Sequence, residues 1–275
     1  MLTKTSRFAM LLCFTAVLVG GAHSRSGAPL DPSLARPTPT PTPWPNLDTL
    51  DKFTNPSGNT CGIDGAATHG TEKAALNDLK NRYRLPQGQF GPITFSQLLA
   101  LNQGHVTAQR KIIGFPDSKD PNNQRAVSLV GFVDDVFTGG CAVHQGGKGG
   151  ESCNCNTTDK NICDTHINVI PKQGVSSAGG HNVFVVEVTE RARRLAAKNL
   201  LTSNIGNDWS TGTLKAKLKG HWVRFSGYLF FDTDHFDQAW VTDSDDNIGG
   251  SNFRETAWEI HPVMQIQVDV APPNH

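Results

Sequence analysis

The second half of the chain alternates hydrophobic and polar residues with the two-residue period of β-strands. Glycine, proline, asparagine and aspartate separate these stretches, as expected where strands end in turns. The pattern predicts strands over residues 126–137, 166–171, 182–189, 221–232 and 256–268. The last of them is interrupted at Pro262. Between the third and fourth strands, residues 189–199 have helical apolar spacing, with Thr189 as the candidate N-cap.

Three strands, a helix and two further strands follow one another in the order of an OB-fold barrel. Gly131 lies within the long first strand, where a barrel strand is expected to bend. Residues 126–271 are therefore predicted to form an OB-like five-stranded barrel with one inserted helix. The fold class is mainly β, with a small helical N-terminal lead-in. An antiparallel sandwich with one helix is the alternative.

Residues 58–125 form the predicted lead-in, whose patterns are helical. Thr71 is a candidate cap of a first helix that ends before Pro86. A second short helix is predicted to start near Thr94 and to end at Gly104. The apolar stripes of both helices are expected to face a core, and no chemistry is assigned to them.

The first 24 residues have the order of a secretory signal peptide. Lys4 and Arg7 precede an apolar run over residues 8–19, which small residues follow. Residues 25–57 are rich in proline and threonine, and they are predicted to form an extended tether. Secretion or a periplasmic location is the expected consequence, and no later apolar stretch reaches membrane-spanning length.

The composition is that of a globular protein without a dominant charge. The 275 residues are 37% hydrophobic and 18% charged, and the formal net charge is zero. A neutral polymer or a small ligand is therefore the expected partner, because a nucleic acid or an anionic membrane favours a basic protein.

Five cysteines remain once Cys13 has left with the signal peptide. They are Cys61, Cys141, Cys153, Cys155 and Cys163. In an oxidising compartment they are expected to form disulfides that hold a glycine-rich loop, with one thiol left free or paired with another chain. A zinc or copper site is the alternative, with Cys153, Cys155, Cys163 and His166 as ligands and His144 nearby.

Acid–histidine pairs on the predicted strands are the main candidates for chemistry. Asp164 and His166 flank one residue, as do Glu259 and His261. Side chains two apart on a strand point to the same face, so each pair can supply two metal ligands. Alternatively, the carboxylate of each pair can orient an imidazole that acts as a general base.

Asp232, Asp234 and His235 follow the fourth strand and can close the same site. The hypothesis is a metal-assisted hydrolase of unspecified divalent metal, acting on a phosphodiester or a glycan. Its catalytic residues are Asp164, His166, Glu259 and His261. Its metal ligands are Asp164, His166, Asp232, His235, Glu259 and His261.

Several stretches of this chain resemble a group of uncharacterised secreted bacterial proteins with a WEIHPV signature. The stretches are GFVDDVF, ESCNCN followed by DTHINV, VVEVTER, FSGYLFFDTDH and TAWEIHPV, all between Val127 and Val268. The resemblance implies an OB-like barrel and carries no established activity. Glu190 departs from it, because the group more often has a proline there.

Three further features have a structural and a functional interpretation. Glu187 is expected to point into the barrel, as a structural ion pair or a general acid. Residues 242–250 have the spacing of a calcium loop, although a solvated acidic turn is favoured.

A basic patch, with aromatic residues nearby, would suit nucleic acid or sugars. Its residues are Arg191, Arg193, Arg194, Lys198, Lys215, Lys217 and Lys219, and the aromatic residues are Trp222, Tyr228, Trp240 and Trp258.

The sequence therefore leaves three functions open. The first is a secreted OB-like domain that binds a ligand or polymer, such as a glycan or nucleic acid, on its barrel face. The alternative is the metal-dependent hydrolase, and the third is a structural surface protein without a ligand.

Overall fold

The computed structural model describes residues 48–54, 58, 60–106, 112–141, 150–174, 182–239 and 253–273. The predicted signal peptide, the tether up to residue 47 and the acidic turn at 242–250 lie outside the described residues.

The described part contains short helices and a mixed sheet. Its helices are α1 (Asp48–Asp51), α2 (Glu72–Lys80), α3 (Phe95–Leu99), α4 (Glu190–Ala197) and α5 (Thr211–Leu218). Its strands are β1 (Phe53–Thr54), β2 (Thr60–Cys61), β3 (Gly91–Pro92), β4 (His105–Val106), β5 (Ile112–Ile113), β6 (Ala126–Thr138), β7 (Thr165–Ile170), β8 (Phe184–Val188), β9 (Thr202–Ser203), β10 (Trp222–Phe231) and β11 (Trp258–Val268). Short 3₁₀ helices span Pro121–Gln124, Ser152–Asn154 and Thr233–Gln238.

Strands β6, β7, β8, β11 and β10 close into a barrel, because β10 pairs with both β11 and β6. Its pairs are antiparallel except for β8 with β11. The first, second, third, fifth and fourth barrel strands thus follow one another around the wall, which is the order of an OB-fold. The predicted fold class is confirmed, and the alternative of an antiparallel sandwich with one helix is wrong.

The insertion between the third and fourth barrel strands is larger than predicted. Helix α4 matches the predicted helix, and Thr189 accepts a hydrogen bond from the Ala192 amide at its N-terminus. Helix α5 and strand β9, which pairs with β11, follow it. The sequence pattern missed α5 because Leu214 and Leu218 are its only buried residues, so its hydrophobic stripe is very short.

The fifth barrel strand runs through Pro262 without the predicted interruption. The sheet accommodates the proline by register shifts on either side of Gly227 in β10. A Cβ atom at Gly227 would lie 2.3 Å from the carbonyl oxygen of Pro262, so this close approach requires glycine.

The lead-in packs against the barrel. Thr71 caps α2, and Thr94 forms a capping box with Gln97 at the start of α3, so both predicted helix starts are confirmed. Strand β3 extends the barrel sheet beside β6. The folded part also begins before residue 58, because Leu50 is buried in the main core and its carbonyl accepts a hydrogen bond from Arg191.

The two faces of the barrel wall differ in chemistry. Ile167 on β7 and Val186 on β8 are cross-strand neighbours and belong to the main core, which includes residues of all five barrel strands. Side chains alternate along a strand, so their neighbours His166 and Glu187 lie on the outer face. Glu187 does share its face with Val185, but the prediction that it points into the barrel is wrong.

Two disulfides hold the segment between β6 and β7. Cys61 is bonded to Cys155, and Cys141 is bonded to Cys163. Cys153 is the free cysteine of the described residues and is 2% exposed. The disulfide prediction is confirmed, and the alternative zinc or copper site loses two of its thiolate ligands.

Candidate functional site

A set of charged and polar side chains meets on the outer face of the barrel and is almost entirely buried there. We call it the buried charged cluster. It comprises Lys80, Glu151, Cys153, Asp164, His166, Glu187, Asp232, His235, Arg254, Glu259 and His261.

The strand register explains why the acid–histidine pairs converge. His166 on β7 lies directly opposite Glu187 on β8, and the next strand in the wall, β11, carries Glu259 and His261. Asp164 immediately precedes β7. In the barrel wall the neighbour of β8 is β11 rather than β10. The Glu259–His261 pair on β11 therefore lies on the same outer patch as the Asp164–His166 pair.

Imidazoles and carboxylates alternate in the centre of the cluster. His166 Nε2 lies 3.0 Å from Glu187 Oε1, and His261 Nδ1 lies 3.2 Å from Glu187 Oε2. His261 Nδ1 also hydrogen-bonds to Glu259 Oε1 at 2.9 Å, while His261 Nε2 lies 3.7 Å from Asp164 Oδ2. Glu187 thus contacts both imidazoles that the sequence singled out.

Two permanent cations lie beside these groups. Lys80, from the last turn of α2, places its Nζ atom 3.3 Å from Asp232 Oδ1 and 3.4 Å from Glu151 Oε2. Arg254 Nη1 lies 3.1 Å from Glu259 Oε2 and 3.4 Å from Asp232 Oδ2. Glu151, Asp232 and Glu259 therefore each have a cationic partner.

The cluster has more carboxylates than permanent cations. The cluster has five carboxyl groups, one lysine and one arginine. Its net charge is therefore −5 + 2 = −3 when every carboxyl is ionised and every imidazole is neutral. Buried charge of this size is costly, so protons or a metal cation must offset it.

Burial and neighbouring charge move the pKa values of the cluster in opposite directions. Burial alone would lower the pKa of His166, but the charge of Glu187 raises it to about 9. Burial would raise the pKa of Glu187, but His166 and His261 lower it to about 2. Burial raises the pKa of Glu259 well above its ordinary value, and Glu187 adds to the shift.

His261 differs from the other imidazoles, because burial lowers its pKa and keeps the ring neutral. A ring proton on Nδ1 can be donated to Glu259 Oε1 at 2.9 Å or to Glu187 Oε2 at 3.2 Å. Nε2 then carries a lone pair, is fully buried and has no hydrogen-bond partner among the described residues. A carboxylate that fixes the tautomer of a histidine in this way is typical of metal-binding imidazoles.

Asp164, Glu187 and His261 can each offer one ligand atom, and these atoms lie within 4.8 Å of one another. Asp164 Oδ1 and His261 Nε2 are buried without a hydrogen bond to any described residue, whereas both Glu187 oxygens lie within 3.2 Å of an imidazole nitrogen. An unsatisfied buried polar group costs about 1–3 kcal/mol. A cation at this trio would contact one ligand atom of each of the three residues.

Two other trios have comparable spacing, but their atoms already have partners. Glu187, Asp232 and Glu259 form one, and Lys80 and Arg254 neutralise its last two members. Glu151, Cys153 and Asp164 form the other. There Glu151 is paired with Lys80, and burial and then the charge of Glu151 raise the pKa of the Cys153 thiol well above its ordinary value.

His166 and His235 form the edge of the cluster that is nearest to solvent. Their side chains are 7% and 18% exposed, and the ring centroids are 6.1 Å apart. Each ring contacts a buried carboxylate, Glu187 and Asp232 respectively.

The structure brings together every predicted site residue: Asp164, His166, Asp232, His235, Glu259 and His261. Sequence reasoning missed Lys80, Glu151 and Arg254. Lys80 lies in helix α2, and its position in the helical pattern does not distinguish it from an ordinary surface lysine. No local sequence signal marks Glu151 or Arg254.

The basic patch predicted from the sequence is exposed only in part, at Lys198, Lys215, Lys217 and Lys219. Arg191 is 3% exposed and donates hydrogen bonds to the carbonyls of Leu50 and Gly62 and to Asn81. Among the aromatic residues proposed for stacking, Trp258 is fully buried in the main core.

The disulfides lie next to the cluster in sequence. Cys163 precedes Asp164, and Cys155 follows Asn154, whose amide donates a hydrogen bond to Asp164 Oδ2 at 3.0 Å. The two disulfides therefore hold the backbone at Asp164 and at Asn154, its hydrogen-bond partner.

The cluster occupies the part of the barrel where OB-folds bind ligands. It lies on the face of the second and third barrel strands, and the segments after the first and fourth strands contribute to it. Among the described residues, no helix has the length and hydrophobicity needed to cross a membrane. Comparisons with family models, curated proteins and solved structures found no match for this chain.

Proposed function

We propose that this protein is an extracellular metal-dependent hydrolase with its metal site on the outer face of an OB barrel. Asp164, Glu187 and His261 bind one divalent cation. The observation that carries the proposal is the buried His261 imidazole, whose Nε2 atom has no hydrogen-bond partner among the described residues and lies 3.7 Å from Asp164 Oδ2, with a Glu187 oxygen close enough to complete a three-ligand set.

The donor set limits which metals fit. One imidazole and two carboxylates suit Zn²⁺, Mn²⁺ or Fe²⁺ better than Ca²⁺, which prefers an all-oxygen shell of six to eight ligands. Asp232 and Glu259 are not in the proposed ligand set, because Lys80 and Arg254 already neutralise them. Their role is to hold Lys80, Arg254 and His261 in place.

A bound divalent cation would acidify a water molecule and so supply a nucleophile near neutral pH. The chain supplies the rest. His166 lies between Glu187 and the edge of the cluster that is nearest to solvent, where it can transfer a proton to or from a substrate. Two disulfides occur among the described residues, which is typical of proteins of an oxidising compartment.

The first experiment measures metal binding. The secreted protein is treated with chelator, refilled with Zn²⁺, Mn²⁺ or Ca²⁺, and examined by elemental analysis and thermal melting. We expect one ion of Zn²⁺ or Mn²⁺ per chain and a higher melting temperature, because an ion at 100 times its Kd stabilises the fold by about 2.7 kcal/mol. The His261→Gln variant removes the Nε2 donor and should lose both effects.

His221→Gln is the matched control, because His221 is exposed and pairs with Asp269 far from the cluster. If His261→Gln fails to fold, Asp164→Asn replaces it, since an amide keeps the shape of the carboxylate. Refilled wild-type protein without bound metal, or variants that bind as much as wild type, would overturn the metal site.

The second experiment measures hydrolysis. Bis(p-nitrophenyl) phosphate and p-nitrophenyl glycosides represent the two substrate classes. We expect turnover of one of them that chelator abolishes and Zn²⁺ or Mn²⁺ restores, and that His166→Gln reduces without loss of metal. Metal-loaded protein that hydrolyses neither substrate class would leave a metal site without the hydrolase.

A further inference from the structure

A concave surface lies on the barrel away from the buried charged cluster. We call it the polar groove. It has a volume of about 580 Å³, and its lining includes Gln89, Phe90, Ser128, Arg224, Gln265 and Gln267. A neighbouring hollow of about 310 Å³ shares Arg224, Gln265 and Gln267 and continues to β9.

The groove and the neighbouring hollow together cross four neighbouring strands, β6, β10, β11 and β9. At about 4.8 Å per strand, three spacings make a surface about 14 Å wide. This is wide enough for a chain of several linked units rather than a single small molecule. Gln265 is four residues from His261 along β11, or about 13 Å, so the groove and the cluster are separate.

The lining is rich in neutral hydrogen-bonding groups. Ser226 donates a hydrogen bond to Ser128 at 3.2 Å, and Arg224 donates one to Gln267 at 3.0 Å. The carboxamide of Gln265 has no hydrogen bond to any described residue, so its donors and its acceptor are open to a ligand. A carboxamide both donates and accepts, which matches a hydroxyl group that does the same.

The lining also excludes several other ligands. No carboxylate or lysine lines either hollow, and Arg224 is their one cationic residue. A nucleic acid strand would need several lysines or arginines for its phosphates. Phe90 supplies an apolar ring beside the polar side chains, and it packs edge-to-face with Tyr228 with ring centroids 6.4 Å apart.

We infer that the polar groove binds an uncharged, polyhydroxylated polymer, that is, a neutral glycan. Gln265, Gln267 and Gln89 provide hydrogen bonds to its hydroxyl groups, and Phe90 contacts the apolar face of a sugar ring. This inference does not depend on the metal site, although a glycan held here would lie on the same outer face of β11.

Binding is measured by titration calorimetry with cello-, xylo- and chito-hexasaccharides, and with a twelve-residue oligothymidylate. We expect at least one hexasaccharide to bind. The double variant Gln265→Ala/Gln267→Ala should weaken it by about tenfold, because two hydrogen-bonding side chains are lost. Gln124→Ala, an exposed glutamine outside the groove, is the matched control and should bind like wild type.

The variant His261→Gln separates this inference from the proposed hydrolase, because it should lose metal and keep glycan binding. Three results would overturn the inference. They are failure of all three hexasaccharides to bind, equal binding by the double variant and wild type, and tighter binding of oligothymidylate that Arg224→Ala abolishes.

Discussion

Replacing Lys80 with methionine tests whether the buried charged cluster is held together by charge balance. The Nζ atom of Lys80 lies between Asp232 and Glu151, 5.3 Å from the centre of the Phe230 ring, and the residue is 2% exposed. Methionine has a similar length and helix propensity, so the substitution removes the charge and leaves the helix intact. Two carboxylates then face each other with their shared cation gone.

The expected cost follows from this burial. Removing one partner of a buried ion pair destabilises a protein by about 3–5 kcal/mol. A domain of 150–250 residues loses about 2–4 °C of melting temperature per kcal/mol, so the melting temperature should fall by about 6–20 °C. The free energy of unfolding, measured with urea, should fall with an unchanged slope.

Lys73→Met is the matched control on the same helix. Lys73 pairs with Asp234, and their side chains are 39% and 36% exposed. An exposed pair of this kind contributes about 1 kcal/mol or less. Two variants that differ by less than about 1 kcal/mol would refute the view that Lys80 neutralises buried carboxylates.

Gly139→Ala should displace the His166 imidazole, since the new Cβ atom would lie 2.0 Å from its Nε2 atom. We expect the free energy of unfolding, measured with urea, to fall by about 1–3 kcal/mol. The control is Gly88→Ala, where a Cβ atom meets open space and the free energy of unfolding should change by no more than about 0.5 kcal/mol. Equal stability of these two variants would contradict the packing. Burial would raise the pKa of Asp232, but Lys80 and His235 lower it well below its ordinary value. The ionised carboxylate therefore stabilises the fold above about pH 4, and this stabilisation is lost as the pH falls further. Asp232→Asn should therefore be less stable than wild type at pH 7, and the gap should narrow below about pH 4; a constant gap would be inconsistent with this sign. Cys153 should resist thiol reagents in the folded protein and react only after unfolding, because it is 2% exposed and burial raises its pKa; stoichiometric labelling of native protein would show that the site opens.

The barrel could be predicted because its signals are local. Strands β6, β7, β8, β10 and β11 begin and end within two residues of their predicted bounds. Thr71, Thr94 and Thr189 cap the helices that they were predicted to start. Alternation and capping depend on neighbours in the chain, which a single sequence displays. Helix α5 was missed because its few buried residues are set by packing rather than by a repeating pattern.

Part of the candidate site could also be predicted. The spacing of Asp164 with His166, and of Glu259 with His261, places each pair on one strand face, and the structure has both pairs on the outer face. The direction of Glu187 was predicted wrongly. Alternation shows which residues share a face, but not which face is inside the barrel.

The sequence by itself determined the order of strands, the helix starts, the need for disulfides and the acid–histidine pairs, because each of these depends on residues close together in the chain. Only the tertiary structure decided that Lys80, Glu151 and Arg254 join those pairs, since they come from segments far apart in sequence. It also decided that His261 Nε2 is buried without a hydrogen-bond partner among the described residues. The physical reason is that burial and electrostatic pairing depend on distances through space, which closure of the barrel sets.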